Sequence, residues 1–146
     1  MNKFEYIIGI DPDSDRHGVA VYQNGKLNHL AMHTLQELIS KWMVGGLSVA
    51  FSIENTMANQ FVYSRNQHSS KAAQSKIAMQ IGRCQQSQVE LQRMLDYYEI
   101  PYTLHKPTKA NFSKDKPMFE RLTGWKERSN EDTRSAAYFG LLEAAS

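Results

Sequence analysis

The acidic residues of this 146-residue chain are concentrated in a few places where chemistry could be built. "GIDPDSDRHGVAV", Gly9 to Val21, puts Asp11, Asp13 and Asp15 on alternate positions; Glu54 closes an apolar run; Glu131 and Asp132 open the last segment. Carboxylates this close repel one another unless a cation or a proton sits among them. A calcium loop of the EF-hand type needs Gly at its sixth position and Glu at its twelfth, between two helices. Counted from Asp11 those positions hold Arg16 and Tyr22, and the flanks are strand-like. An acidic turn is sufficient for Asp13 and Asp15, with Pro12 fixing φ. It serves less well for Asp11, which directly follows a buried strand and so sits on a rigid support. A second metal chemistry uses Asp11 with Glu54 and Asp132. Mg²⁺ prefers oxygen ligands and keeps several waters, and two such ions about 4 Å apart can drive phosphodiester hydrolysis. That needs convergent carboxylates and no thiols.

The elements that must position these groups follow from the pattern of side chains. Glu5–Ile10 reads as a buried strand ending at Asp11, and Gly18–Tyr22 as a second. Asn24-Gly25 predicts a tight turn into a third, antiparallel strand over Leu27–His33. Thr34 caps a helix with Leu35, Leu38, Ile39 and Trp42 on one face, stopped by Gly45-Gly46. Leu47–Glu54 is a fourth strand. Asn55 to Ser70 has no periodicity and reads as a loop. Lys71–Glu99 predicts a long helix with Ile77, Ile81, Cys84, Leu91, Leu95 and Tyr98 on one stripe. Cys84 on that stripe reads as a small buried apolar residue. Ile100–His105 is a fifth short strand, Pro117–Leu122 a short helix, and Asn130 caps a last helix over Glu131–Ala144. Three meander strands followed by alternating helices and strands predict an α/β fold, a mixed sheet with helices packed on it. No repeat or linker divides the chain, so 1–146 is expected to form one domain.

Composition narrows the function classes. An apolar fraction of 41% supports a core. A single cysteine excludes an internal disulfide framework and a cysteine-based zinc site. No stretch has a signal-peptide or membrane-span pattern, so a soluble intracellular protein is expected. The net charge of +2 is unevenly spread. Between Glu54 and Glu90 there is no acid, while Arg65, Lys71, Lys76 and Arg83 fall in that window. A second basic stretch, Pro101 to Arg128, carries Lys106, Lys109, Lys114 and Lys116 among others. Basic, polar segments around isolated carboxylates suit a protein that holds a polyanion; solvated helix faces are the plainer alternative.

Taken in order, the motifs resemble those of the RuvC-like Holliday-junction resolvases, in particular their small phage and bacterial variants. "IIGIDPDSDRHGVAV" is similar to that family's first motif and "VAFSIENTMA" to its second, a strand ending in Glu. The helix with "IGRCQ", the strand exit "HKPTKANF" and the final "NEDTRSAAYFGLLEA" resemble the rest. The resemblance implies a ribonuclease H-like mixed five-stranded sheet flanked by helices. It implies that Asp11, Glu54 and Asp132 hold Mg²⁺, with Mn²⁺ as a substitute and two ions per site. The family's second aspartate in the final motif is here Ser135, so either Glu131 compensates as a ligand or one ion is held less tightly. Asp13 stands where the family usually has Gly.

By the same resemblance Lys109 matches a basic residue that stabilises charge on the scissile phosphate. Lys116, with Lys114 as the alternative, matches a second. The family often wedges an aromatic residue into the junction three positions after the second motif's Glu; that position is Met57, and Phe61 and Tyr63 are the nearest aromatics. The implied activity is structure-selective endonucleolytic cleavage of branched DNA by paired symmetric nicks, leaving 5′-phosphate and 3′-hydroxyl ends. A homodimer, and a cytoplasmic, nucleoid-associated protein of bacterial or phage origin, are implied with it. Two alternatives stand beside this reading. One is a branched-DNA-binding protein of the same fold with weakened catalysis. The other is a relative of actin-like ATPases, which the lack of a Gly-Thr-rich loop and of a second lobe argues against.

Overall fold

The computed structural model describes residues 3–58 and 70–146. Strands β1 (Tyr6–Asp11), β2 (His17–Gln23) and β3 (Lys26–His33) form the meander, followed by helix α1 (Leu35–Trp42) and strand β4 (Val49–Glu54). After a 3₁₀ turn at Thr56–Ala58 come the long helix α2 (Lys71–Tyr97), β5 (Tyr102–His105), a 3₁₀ turn at Phe112–Lys114, α3 (Lys116–Thr123) and α4 (Glu131–Ala144). The sheet order is β3-β2-β1-β4-β5. β1 pairs antiparallel with β2 and β2 with β3, whereas β4 runs parallel to β1 and β5 parallel to β4. This is the mixed five-stranded sheet expected from the sequence. Asn24 and Gly25 both take positive φ, 50° and 82°, as the tight meander turn requires. Among the described residues no helix is long and apolar enough to cross a membrane.

The two faces of the sheet are built from different residue sizes. On one face Ile8, Ile10, Val19, Val21, Val49, Phe51 and Ile53 pack against Leu38 of α1 and Leu91 and Leu95 of α2. The alternate positions on the other face are mostly small: Gly9, Gly18, Ala20, Ala50 and Ser52. Against them lies α4, with Ala136 and Ala137 fully buried. A Cβ on Gly9 would run into the Ala136 carbonyl and lie 2.7 Å from the Gly140 nitrogen. A Cβ on Gly140 would meet the Tyr22 ring at 2.7 Å. The helix therefore rests almost on the strand backbones, and two buried bonds fix it there. The Tyr22 hydroxyl donates to the Ala137 carbonyl at 2.7 Å, and the Ser52 hydroxyl to the Phe139 carbonyl at 2.6 Å. Asn130 caps α4 reciprocally with Thr133, which fixes where its first turn begins.

The long helix differs from its predicted stripe. Leu91 and Leu95 are buried in the core, but Ile77, Ile81 and Cys84 are only half-buried and Tyr98 is exposed. Gln88, a polar residue, is the third buried position of the helix.

Candidate active site

The acidic residues meet at the end of the sheet where β1 and β4 stop. Ile10 pairs with Ile53, so the next residues, Asp11 and Glu54, leave the sheet at the same level. Both lie on the small-residue face, in register with Gly9 and Ser52 two positions earlier. Asp11 is also paired with Gly18. A Cβ on Gly18 would collide with the Asp132 carbonyl, and it would stand 3.3 Å from the Asp132 Cβ. The missing side chain at Gly18 is thus what lets the first turn of α4 bring Asp132 to Asp11.

The electrostatics show how closely these groups sit. Burial first, then the Glu54 and Asp132 carboxylates, push Asp11 up to about 9. Glu54 is raised by burial, partly offset by a hydrogen bond with Asp11. The Asp11 carboxyl thus keeps its proton and donates it to Glu54 at neutral pH. Asp132 is raised by burial and by the charges of Asp13 and Glu131. No cationic side chain stands among the groups that shift Asp11; its one favourable neighbour is the Ser135 hydroxyl. Among the described residues, no three His, Cys, Asp or Glu side chains are gathered into a ready-made cation cage. The donor set is nonetheless chemically suited to a hard divalent cation, since every donor is a carboxylate oxygen and no thiol or imidazole is among them.

The turn between β1 and β2 is held on both sides. His17 is buried, and its Nδ1 accepts the Asp13 backbone N–H at 3.1 Å. Burial pushes the imidazole down to about 4 against the pull of Asp13, so the ring is neutral and free to accept. The Asp13 Oδ1 accepts the Ser14 N–H at 2.6 Å and faces Gln80 Nε2 at 3.5 Å and Cys84 Sγ at 3.7 Å. Ser87 Oγ donates to the Ser14 carbonyl at 3.2 Å. Cys84 is therefore not an apolar core residue: it faces a carboxylate at the edge of the acidic site. Burial and Asp13 push its thiol up, so it is not a nucleophilic thiolate.

Gln88 ties the exit of β4 to the same helix. Its Oε1 accepts from the Thr56 N–H at 2.8 Å and the Thr56 hydroxyl at 2.7 Å, and its Nε2 donates to Asn55 Oδ1 at 3.1 Å. Glu54 is thereby fixed from behind. A glutamine inside an apolar stripe was the available sequence signal for this role. Asn111 is a second residue that sequence reasoning missed. Its Nδ2 donates to Ser135 Oγ at 3.0 Å, its Oδ1 accepts the Ser113 N–H at 2.9 Å, and Arg134 Nε donates to the Ser113 carbonyl at 2.8 Å. Set among lysines, Asn111 has no periodicity to mark it.

The structure gathers Asp11, Glu54 and Asp132, with Glu131 exposed beside Asp132 at the start of α4. Lys109 is exposed in a turn two residues before Asn111. Lys106, Lys114 and Lys116 are exposed along the same connection from β5 to α3. Lys71, Lys76 and Arg83 are exposed on α2, and Lys76 and Arg83 flank Gln80 at helical spacing, next to the acidic turn. Met57 is 38% exposed in the turn after Glu54. Phe61, Tyr63 and Arg65 lie outside the described residues.

No protein-family model and no curated protein matches the sequence. Among solved structures the chain is similar to Thermus thermophilus RuvC. With RuvC in complex with Holliday junction substrate, the TM-score is 0.59 at 16% identity, over 93% of this chain and 90% of that one. With a further T. thermophilus RuvC structure it is 0.55 at 15% identity, over 93% and 91%. The likeness is one of fold, and the fold is the ribonuclease H-like one of RuvC.

Proposed function

We propose that the chain is a Mg²⁺- or Mn²⁺-dependent endonuclease that resolves four-way or other branched DNA by paired nicks, acting as a homodimer. The observation that carries this reading is the convergence of Asp11 and Glu54 at one sheet end with Asp132 laid over them. Three buried or half-buried carboxylates without a protein cation are a costly arrangement that a bound divalent cation would relieve. Asp11, Glu54 and Asp132 would hold it, with Glu131 at the rim. When bound, the cation supplies Lewis-acid stabilisation of the scissile phosphate and lowers the pKa of the attacking water.

The remaining roles belong to the chain's own groups. Lys109, with Lys116 or Lys114, offsets charge developing on the phosphate. Lys71, Lys76, Arg83 and Lys106 hold neighbouring phosphates, so binding reads backbone and shape and is salt-sensitive. Met57 is the wedge candidate at the junction centre, with Phe61, Tyr63 and Arg65 on the segment that follows. The neighbour's Holliday junction substrate supports the choice of branched DNA.

Asp11→Asn and Glu54→Gln test the assignment. Each is expected to abolish nicking of a synthetic four-way junction, about 10³-fold or more, while junction affinity in a mobility-shift assay stays within about twofold. Normal cutting by either variant would remove these residues from the site. A second reading, a branched-DNA-binding protein with weakened catalysis, draws on Ser135. Tight junction binding by the wild-type chain with no nicks in Mg²⁺ or Mn²⁺ would favour it.

A further inference from the structure

A second polar site lies behind the turn between β1 and β2, on the face of the sheet away from α4. A groove of about 270 Å³ opens there between that turn, α1 and α2, and Asp15, Leu35, Ser87 and Glu90 line it together with His17. His17 shares its face of β2 with Val19 and Val21, so its ring lies on the α1 and α2 side. The residue is only 2% exposed. Its Nδ1 accepts the Asp13 N–H at 3.1 Å, which fixes the tautomer with the proton on Nε2. Among the described residues no group accepts from that Nε2–H, and the atom keeps contact with solvent. A deeply set donor thus faces the groove, and an acceptor placed there gains a hydrogen bond that no protein group makes. Glu90 offers the opposite. Its Oε1 accepts from Gln86 Nε2 at 2.7 Å and from Arg93 Nη1 at 3.1 Å, while its Oε2 is unused among the described residues. Ser87 Oγ donates to the Ser14 carbonyl at 3.2 Å, which ties the turn to α2 and holds the groove open between them.

The chemistry of the groove narrows what it can take. A metal ion needs a lone pair on the imidazole, and here Nε2 carries the proton. A phosphate would meet Asp15 and Glu90, with no Lys or Arg among the described residues that line the groove. A neutral, planar group with an acceptor and a donor side by side satisfies both walls. We propose that the groove is a nucleobase subsite: an unpaired base with an amino group beside a ring nitrogen, adenine or cytosine, enters it, His17 Nε2–H donates to the ring nitrogen, and Glu90 Oε2 accepts from the amino group. A base that is already unpaired at a branch point costs little to withdraw from its stack. The turn that forms one wall leads directly from Asp11, so a base held here selects which nucleotide step lies at the acidic end of the sheet. His17 and Glu90 touch no reacting atom and act on specificity alone. This inference rests on the branched-DNA reading above.

The test measures affinity by mobility shift, in chelator so that nothing is cut. Three synthetic four-way junctions each carry one unpaired nucleotide at the branch point: adenine, unsubstituted purine (which lacks only the amino group) or an abasic residue. A fully paired junction is the reference. The wild type is expected to bind the adenine junction about tenfold more tightly than the other two. His17→Asn keeps an acceptor for the Asp13 N–H but is too short to reach the groove, and Glu90→Ala removes the carboxylate. Each variant is expected to level the three affinities while binding the fully paired junction within about twofold of the wild type. Circular dichroism identifies any variant that has not folded, and Glu90→Ala, at a half-buried helix position, decides the matter if His17→Asn does not fold. Equal wild-type affinity for the three junctions, or a preference for adenine that survives in folded Glu90→Ala, would overturn the subsite alone. Failure of the wild type to bind even the fully paired junction would overturn the branched-DNA reading, and the subsite with it.

Discussion

Asp11 is the most strongly perturbed of the acidic residues, and its ionisation has a consequence for stability. Its pKa rises from 3.8 in the unfolded chain to about 9 in the folded one, mainly through burial and then through Glu54. Between those values the folded protein keeps a proton that the unfolded chain releases. Stability from this group is therefore complete below about pH 4 and is lost as pH rises toward 9. Asp11→Asn removes the dependence. In chelator, its melting temperature should exceed that of the wild type by several degrees at pH 8, and the two should converge near pH 4. For a chain of this size each 1 kcal/mol moves the midpoint by about 2–4 °C. Thermal unfolding by circular dichroism checks this; a variant less stable than the wild type at pH 8 would mean that the Asp11 carboxylate is not strained by its neighbours.

At the scale of elements, the site depends on how near α4 comes to the sheet, and that depends on glycines. Gly9→Ala puts a methyl group into the backbone of Ala136 and Gly140, which cannot move aside as a flexible side chain could. A loss of about 1–3 kcal/mol is expected in urea unfolding. Gly45→Ala, which meets nothing within 4 Å, should stay within about 0.5 kcal/mol. Equal effects at the two positions would contradict the close packing. The alternation that creates this contact is visible in the sequence: "VAFSIE" places Val, Phe and Ile on one face and Ala, Ser and Glu on the other. The Asn130 cap was legible too, and α4 begins and ends at its predicted residues, Glu131 and Ala144, whereas β4 and β5 each begin two residues later than predicted, at Val49 and Tyr102. What was not legible came from contacts between distant segments. Cys84 has the spacing of a core residue, yet it faces Asp13, because the acidic turn and not the sheet packs on that part of α2. Asn111 and Gln88 act through side-chain amides whose partners lie 24 and 32 residues away, and no local pattern encodes such a pairing.

On the whole-molecule scale, one end of the sheet carries half-buried carboxyl groups, and exposed cations occur on two other segments. Lys76 and Arg83 come from α2, and Lys106, Lys109, Lys114 and Lys116 from the connection between β5 and α3. This suits a phosphate backbone laid across the acidic centre, with basic groups taking the flanking phosphates and carboxylates left at the point of cleavage. The proposed resolution of a junction would need two such sites related by symmetry, one on each of two copies of the chain. The most direct measurement is strand cleavage of a synthetic four-way junction labelled on each strand in turn, with and without Mg²⁺ or Mn²⁺. Symmetric nicks in two opposed strands, bearing 5′-phosphates and dependent on the cation, are the expected result. A junction that is bound by the protein and remains uncut in both cations would contradict it.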